Sequence, residues 1–346
     1  MKDNPALLEL MLTDEASQPA IYRPGPYWIG NQRRALAAIG REGITNFRGR
    51  PAIGKGYADI VLVDPSDAWI IGGWKDLLKQ RLTTLPIFRD LFAQYVAMAR
   101  THQQRSLNFM RYYYLHEFRN WLPKSMERMP DTLAGGCELQ IDIMGRRVAP
   151  FYLDKMMTID NYAARVDFTK VRSIMEIGGG YGANAHLLLT LYPNIRKMFY
   201  LDIPPMIYIA TEYLRHFFGD AVKDYAATRG LEKVGFKDDD SLEIICLCPW
   251  QIERADAELD QFWNAASLSE MTPEIVGNYG RHVSRMLRPG ADLCLRMNKP
   301  SETAITTVPS VVQKAFSNVA FEQFRPFVEH QRYTSYMHGR QPIGQA

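Results

Sequence analysis

The sequence predicts an α/β protein, a Rossmann-like parallel sheet preceded by a mainly helical N-terminal domain, and three observations carry that reading. Beyond residue 165, short apolar runs alternate with helix-length segments, the pattern of successive βαβ units. One of those runs leads directly into a glycine-rich loop, Met175-Glu-Ile-Gly-Gly-Gly-Tyr-Gly-Ala-Asn184. Before residue 165 the apolar residues recur at three and four spacing, as on helix faces. Residues 1–165 are therefore expected to form the helical substrate or dimerisation domain and 166–346 the sheet domain.

Composition supports a folded chain and narrows its partners. With 346 residues, 47% of them hydrophobic and 23% charged, it has enough apolar material for a sizeable core and too much for disorder. A net charge of +3 is too near balance for binding that rests on neutralising phosphates, so no nucleic-acid partner is expected. The positive excess sits before residue 165 and is read as a solvated surface. Cys137, Cys246, Cys248 and Cys294 have neither disulfide-framework nor zinc-site spacing, and no metal is expected. The run Leu7 to Leu12 is broken by Glu9, and no apolar stretch approaches the roughly eighteen residues of a membrane span. The expected location is the cytoplasm, away from membranes.

In chain order, 77–100 and 106–121 read as helices. The second carries Phe109, Tyr112, Tyr113, Leu115, His116 and Trp121, aromatics suited to packing between the two halves or to a homodimer surface. Residues 138–148 look strand-like, with Glu138 and Asp142 on one side. Five strands follow at 173–177, 197–202, 242–248, 261–265 and 291–297. A helix after Met271 starts with Thr272 as N-cap and Pro273 at its first position, and is expected to stop at Arg288-Pro289-Gly290.

The glycine loop admits two cofactor readings. Gly178-x-Gly180-x-x-Ala183 is the dinucleotide fingerprint, in which a helix N-terminus receives a pyrophosphate. Glu176-x-Gly178-x-Gly180-x-Gly182 is the pattern of enzymes that use S-adenosylmethionine (SAM). Glu176 favours the second, because a carboxylate beneath the loop repels pyrophosphate and suits the cationic methionine end of SAM. Asp202 ends the next strand, where its carboxylate can accept from both hydroxyls of a ribose.

Glu-Ile-Gly-Gly-Gly-Tyr-Gly at 176–182, Leu-Asp-Ile-Pro-Pro at 201–205, Asn264-x-x-Ser267-Leu-x-Glu270-Met271 and, more loosely, Tyr22-Arg-Pro24-Gly-Pro-Tyr-Trp28 resemble the family of SAM-dependent sugar O-methyltransferases. The resemblance implies a Rossmann-like class I methyltransferase sheet. Gly178, Gly180 and Gly182 would underlie SAM, Asp202 with Ile203 would hold its ribose, and Pro249, Trp250 and Gln251 would form the adenine pocket, with Trp250 stacking on the base or only plugging the sheet edge. Asn264 and Ser267 would orient cofactor or acceptor, or simply shape a turn. Where related enzymes often place a histidine base, this chain has Ser269, which cannot do that work unaided. Glu270 is the first candidate base, its competing role being the cap of the following helix. His330 is a second candidate, while His186 and the run Asp238-Asp-Asp240 are read as structural and solvated.

The expected activity is methyl transfer from SAM to a small-molecule acceptor, first a sugar hydroxyl in polysaccharide or natural-product assembly. Three alternatives stay open: N-methylation of a small amine, amino acid or guanidine; an NAD-dependent dehydrogenase; and a SAM-binding scaffold without turnover. Acidic and aromatic walls would favour nitrogen, and a histidine or metal pair would favour oxygen.

Overall fold

The computed structural model describes residues 1–49, 126–137, 140–143, 145–298, 307–325 and 334–343. Helices α1 (Pro5–Ser17) and α2 (Pro26–Glu42) open the chain. A hairpin of β1 (Ile141–Ile143) and β2 (Arg146–Val148) leads into α3 (Pro150–Ala163). Strand and helix then alternate through β3 (Ser173–Ile177), α4 (Ala183–Leu191), β4 (Lys197–Leu201), α5 (Met206–Phe218), β5 (Val222–Lys223), α6 (Tyr225–Thr228) and β6 (Glu243–Leu247). The remainder runs β7 (Leu259–Ala265), α7 (Pro273–Ser284), β8 (Leu287–Asn298), α8 (Pro309–Ala315), β9 (Ala320–Phe324) and β10 (Thr334–Arg340).

Among the described residues, ten strands make the hairpin and one eight-stranded sheet in the order β5-β6-β4-β3-β7-β8-β10-β9. The first six of that order are parallel to one another, and β10 lies antiparallel between β8 and β9. Strands β3, β4 and β6 are buried along almost their whole length, as parallel strands covered on both faces must be. The Rossmann-like parallel sheet expected from the sequence is present. From β3 the chain builds outward to β4 and β6, then returns to β3's other side with β7 and β8. The loops after β3 and β7 therefore diverge at a topological switch point, where open α/β sheets bind ligands.

Packing ties the N-terminal helices to this sheet. Buried side chains of α1, α2 and α3 belong to the same hydrophobic cluster as those of the strands. Tyr162 of α3 meets Trp263 of β7 edge-on with ring centroids 5.1 Å apart, both fully buried. Each such aromatic contributes roughly 1.5–3 kcal/mol by leaving water. Polar ties reinforce the seam. The Tyr22 hydroxyl donates to Glu253 at 2.6 Å, and the Tyr225 hydroxyl to Asp14 at 2.5 Å.

Three expectations need correction, and several lie outside the described residues. The strand-like 138–148 is, where described, a short hairpin; Asp142 is exposed, and Glu138 lies outside the described residues. The strands at 261–265 and 291–297 are longer, 259–265 and 287–298. Helix α7 ends at Ser284 rather than at Arg288–Gly290, because Leu259 N–H captures Met286 O at 2.8 Å and recruits the following residues into β8. The helices expected at 77–100 and 106–121, with the aromatic set of the second, fall outside the described residues, as does His330.

Helices α7 and α8 pack through Gly280, where an added Cβ would sit 2.5 Å from the Ala315 carbonyl oxygen. Gly280→Ala should therefore lower stability by about 1–3 kcal/mol, read by urea denaturation, and an unchanged midpoint would contradict that packing.

Candidate functional site

Strand β3 ends in a turn that folds back over its own last carboxyl group. Gly178 N–H donates to Leu201 O at 2.8 Å, which binds the start of the turn to β4. Gly178 has φ +69°, and a Cβ there would run into the Ser267 side chain. Only glycine meets both conditions. At Gly179 a Cβ would lie 2.6 Å from the Glu176 carboxyl carbon and from the Tyr200 hydroxyl, so the backbone rests directly on that carboxyl. Gly180 N–H donates to Asp202 Oδ2 at 2.8 Å, its carbonyl accepts from Tyr200 at 2.9 Å, and Gly182 is the N-cap of α4.

Above the turn lies a cleft of about 330 Å³, in the size range of small-molecule sites. The ends of β3, β4 and β7 form its floor, and Arg23, Gly25, Tyr27 and Trp28, around the start of α2, form one wall. Glu176 is fully buried at the floor. Its Oε1 accepts from Asn184 at 3.1 Å while Oε2 has no hydrogen-bond partner among the described residues, and burial pushes the carboxyl up to about 8. Asp202 accepts from Gly180 and, at 2.7 Å, from Ile203 N–H; burial nonetheless raises it to about 7.

Glu270 faces the same space from the short turn after β7. Burial raises it to about 7, and its Oε2 accepts a 2.9 Å hydrogen bond from the Trp28 indole. The helix-capping role falls to Thr272, whose side chain accepts from Ile275 N–H, as its position in the sequence predicts. On the opposite side α3 contributes Phe151, Asp154 and Lys155, and β8 contributes Arg296. Arg296 holds both Asp154 oxygens through Nη1, at 3.0 and 2.9 Å.

The structure thus brings Glu176, Gly178, Gly180, Asp202, Ile203, Ser267 and Glu270 to one cleft. It gives others different work. Asn264 is buried and donates to Ile177 O at 2.8 Å and to Ser267 Oγ at 2.6 Å, pinning the β7 turn against the β3 turn. Ser267 Oγ also donates to Ile177 O at 3.0 Å, so its hydroxyl is engaged in the same brace. Gly182 starts α4 and does not line the cleft.

Pro249, Trp250 and Gln251, expected to form an adenine pocket, are not among the residues that line the cleft. Gln251 is fully buried and spends both ends of its amide on Cys248 N–H and Thr228, and the Trp250 indole donates to Tyr225 at 3.2 Å. Ser269 is turned away to receive Asn298 N–H at 3.0 Å. His186 is a core residue, stacked on Phe217, bonded to Tyr152 and kept neutral by burial, which lowers it to about 3. Asp239 and Asp240 pair with Lys197 and Arg172 at the surface. Among the described residues no cluster of His, Cys, Asp and Glu suits a metal ion.

Sequence reasoning missed Gly179, Asn184, Lys155 and Arg296. The first two follow from geometry, since Asn184 stands eight residues beyond Glu176 at the start of α4 and only the intervening glycine turn brings it back to that carboxyl. No sequence pattern marked the other two.

Residues 153–227 match the family model of an O-methyltransferase domain. A comparison with curated proteins finds no match. Similar solved structures include the mitomycin 7-O-methyltransferase MmcR, at 15% identity over 56% of this chain and 55% of that one, TM-score 0.40. Human N-acetylserotonin methyltransferase in complex with SAM aligns at 12% identity over 56% and 54%, TM-score 0.39. The N-methyltransferase NodS from Bradyrhizobium japonicum WM9 aligns at 15% identity over 56% and 98%, TM-score 0.39. The chain thus spans a little over half the length of the first two.

The raised carboxyls make stability depend on pH. Folded, Glu176, Asp202 and Glu270 hold their protons to about 8, 7 and 7, whereas their ordinary values are 4.5, 3.8 and 4.5. Across that window the folded chain binds more protons than the unfolded one, so stability falls as pH rises. Glu176→Gln should remove its share, leaving a melting temperature that declines less between about pH 5 and pH 9. Parallel melting curves for variant and parent would contradict the assignment.

Proposed function

We propose that this chain is a SAM-dependent methyltransferase acting on a hydroxyl of a small-molecule acceptor, a sugar in polysaccharide or natural-product assembly being the first candidate. One observation carries the reading: a fully buried carboxyl, Glu176, with an unpartnered oxygen, beneath a glycine turn at the switch point of the sheet. An uncompensated buried charge is costly, and a cationic ligand offsets that cost. SAM is such a ligand. The three protonatable carboxyls Glu176, Asp202 and Glu270 suit its positive end, whereas the pyrophosphate of NAD would place two more negative charges beside them. The family match over 153–227 supports the same reading, because that segment contains the glycine turn and Asp202.

The residues take the following roles. The Gly178–Gly180 backbone leaves room for close approach, Asp202 accepts from the ribose hydroxyls, and Ile203 flanks it. When bound, SAM supplies an activated methyl whose bond to sulfur breaks as a bond to the acceptor forms, the sulfur leaving neutral. Glu270, poised near neutrality by burial, takes the proton that a hydroxyl must shed as it attacks. The Trp28 indole fixes the Glu270 carboxylate by donating to Oε2. Holding acceptor and methyl in line is worth up to roughly 7–11 kcal/mol, so positioning by these walls carries much of the rate.

A second acceptor class has an observation in its favour. Tyr27, Trp28 and Tyr279 line the cleft near Glu270, and no histidine is among the described lining residues. Aromatic faces with a carboxylate suit an amine or guanidine.

Calorimetry and a labelled-methyl assay test these roles. Asp202→Asn should weaken SAM binding at least about tenfold, from loss of a charge-assisted hydrogen bond, and unchanged affinity would remove Asp202 from the site. Glu270→Gln should depress turnover while leaving SAM affinity within about twofold, the pattern of a group acting in the transition state. Mass spectrometry of cell metabolites incubated with enzyme and labelled SAM identifies the acceptor as the species that gains one methylene's mass. Binding of NAD without SAM would overturn the proposal.

A further inference from the structure

Lys155 is a buried charge on the cleft wall that the roles above leave unused. It lies on α3 with its side chain 8% exposed and lines the cleft. Its ammonium stands 4.5 Å from the Phe151 ring centroid and forms an ion pair with Asp154 Oδ2 at 3.6 Å, longer than a hydrogen bond. Asp154 is already taken by Arg296, which also donates to Thr158. Among the described residues, Asp154 thus answers two cations, Lys155 and Arg296, in a dry wall. Burial and the nearby Arg296 lower the Lys155 ammonium to about 8.

Glu176 is its electrostatic counterpart on the cleft floor. The two feel each other's charge, yet they form no ion pair, and Glu176 Oε2 stays without a partner. An ammonium and a carboxyl that gives up its proton when a cation approaches, bordering one cavity, are complementary to a zwitterion. The α-amino-acid end of SAM is one, an ammonium and a carboxylate on a single carbon.

We propose that Lys155 binds the methionine carboxylate of the cofactor while Glu176 Oε2 takes its ammonium, so that the pair clamps the amino-acid end and orients the sulfonium. This rests on the SAM reading above and adds Lys155 as a cofactor-positioning residue. It follows that the enzyme discriminates between nucleosides by the amino-acid end as well as by the ribose.

The test compares calorimetric binding of S-adenosylhomocysteine, its decarboxylated analogue, and 5′-methylthioadenosine, which keeps nucleoside and thioether but lacks the amino acid. The parent protein should bind S-adenosylhomocysteine at least about tenfold more tightly than either of the others, the worth of a charge-assisted hydrogen bond. Lys155→Met should lose that advantage over the decarboxylated analogue and bind methylthioadenosine within about twofold of the parent; Lys155→Arg should restore most of it. Equal weakening toward all three compounds, or undiminished preference for S-adenosylhomocysteine in Lys155→Met, overturns the clamp. A parent protein that binds methylthioadenosine as tightly as S-adenosylhomocysteine overturns it without any variant. Binding of none of the three by the parent refutes the SAM reading itself and the clamp with it.

Discussion

A carboxyl sealed into the end of a central strand, with one oxygen left unpartnered, is the constraint from which the cleft follows. Burying Glu176 in β3 places a polar group where neighbouring positions are apolar, and the fold satisfies only half of it, through Asn184. Leaving a buried acceptor unmade is expensive, so the carboxyl keeps its proton at neutral pH unless a cation approaches. The turn above it then has to be glycine. At Gly178 the backbone is left-handed and pressed against Ser267, and at Gly179 any side chain would occupy the space over the carboxyl. Sequence, local geometry and electrostatics thus converge on one opening, and it lies where the strand order of the sheet reverses.

The second feature is that the sheet does not complete the site alone. Its own elements supply Asp202, Ser267 and Glu270, but the hydrogen bond that fixes Glu270 comes from Trp28 near the start of α2. The same N-terminal segment is held to the sheet side by Tyr22 on Glu253 and by Asp14, which receives Tyr225 and pairs with Arg229. Bonds of this kind are individually modest, about 0.5–1.5 kcal/mol each. Together with the shared hydrophobic cluster they hold the Trp28 wall against the floor formed by the glycine turn. Helix α3 closes the other side with Lys155 and the Asp154–Arg296 pair.

Much of the sheet was legible in the chain because buried parallel strands are short apolar runs. Ser173–Ile177 coincides with β3, and the Thr272 cap with Pro273 fixes the start of α7. The last strands were not, since β9 is half exposed and β10 contains His338, Gly339 and Arg340, whose place is set by pairing with β8. In the site, Glu176, Gly178 and Gly180 of the glycine pattern and Asp202 at a strand end arrived together, while Gly182 and Asn264 did not line the cleft. Trp250 and Gln251 did not, because a side chain's direction after a strand depends on which backbone groups need partners, and Gln251 was drawn to Cys248 and Thr228. Lys155 was illegible for the opposite reason. A lysine in a helix reads as solvated, and only the packing of α3 against the sheet shows its ammonium to be dry.

The most direct test of the central claim is the number of protons exchanged when SAM binds at pH 7, obtained by calorimetry in buffers of different ionisation enthalpy. A protonated Glu176 that yields to a cation must lose its proton, so binding should release close to one proton, and less in Glu176→Gln. Proton uptake, or a heat independent of buffer, would show that the buried carboxyl does not serve a cationic ligand.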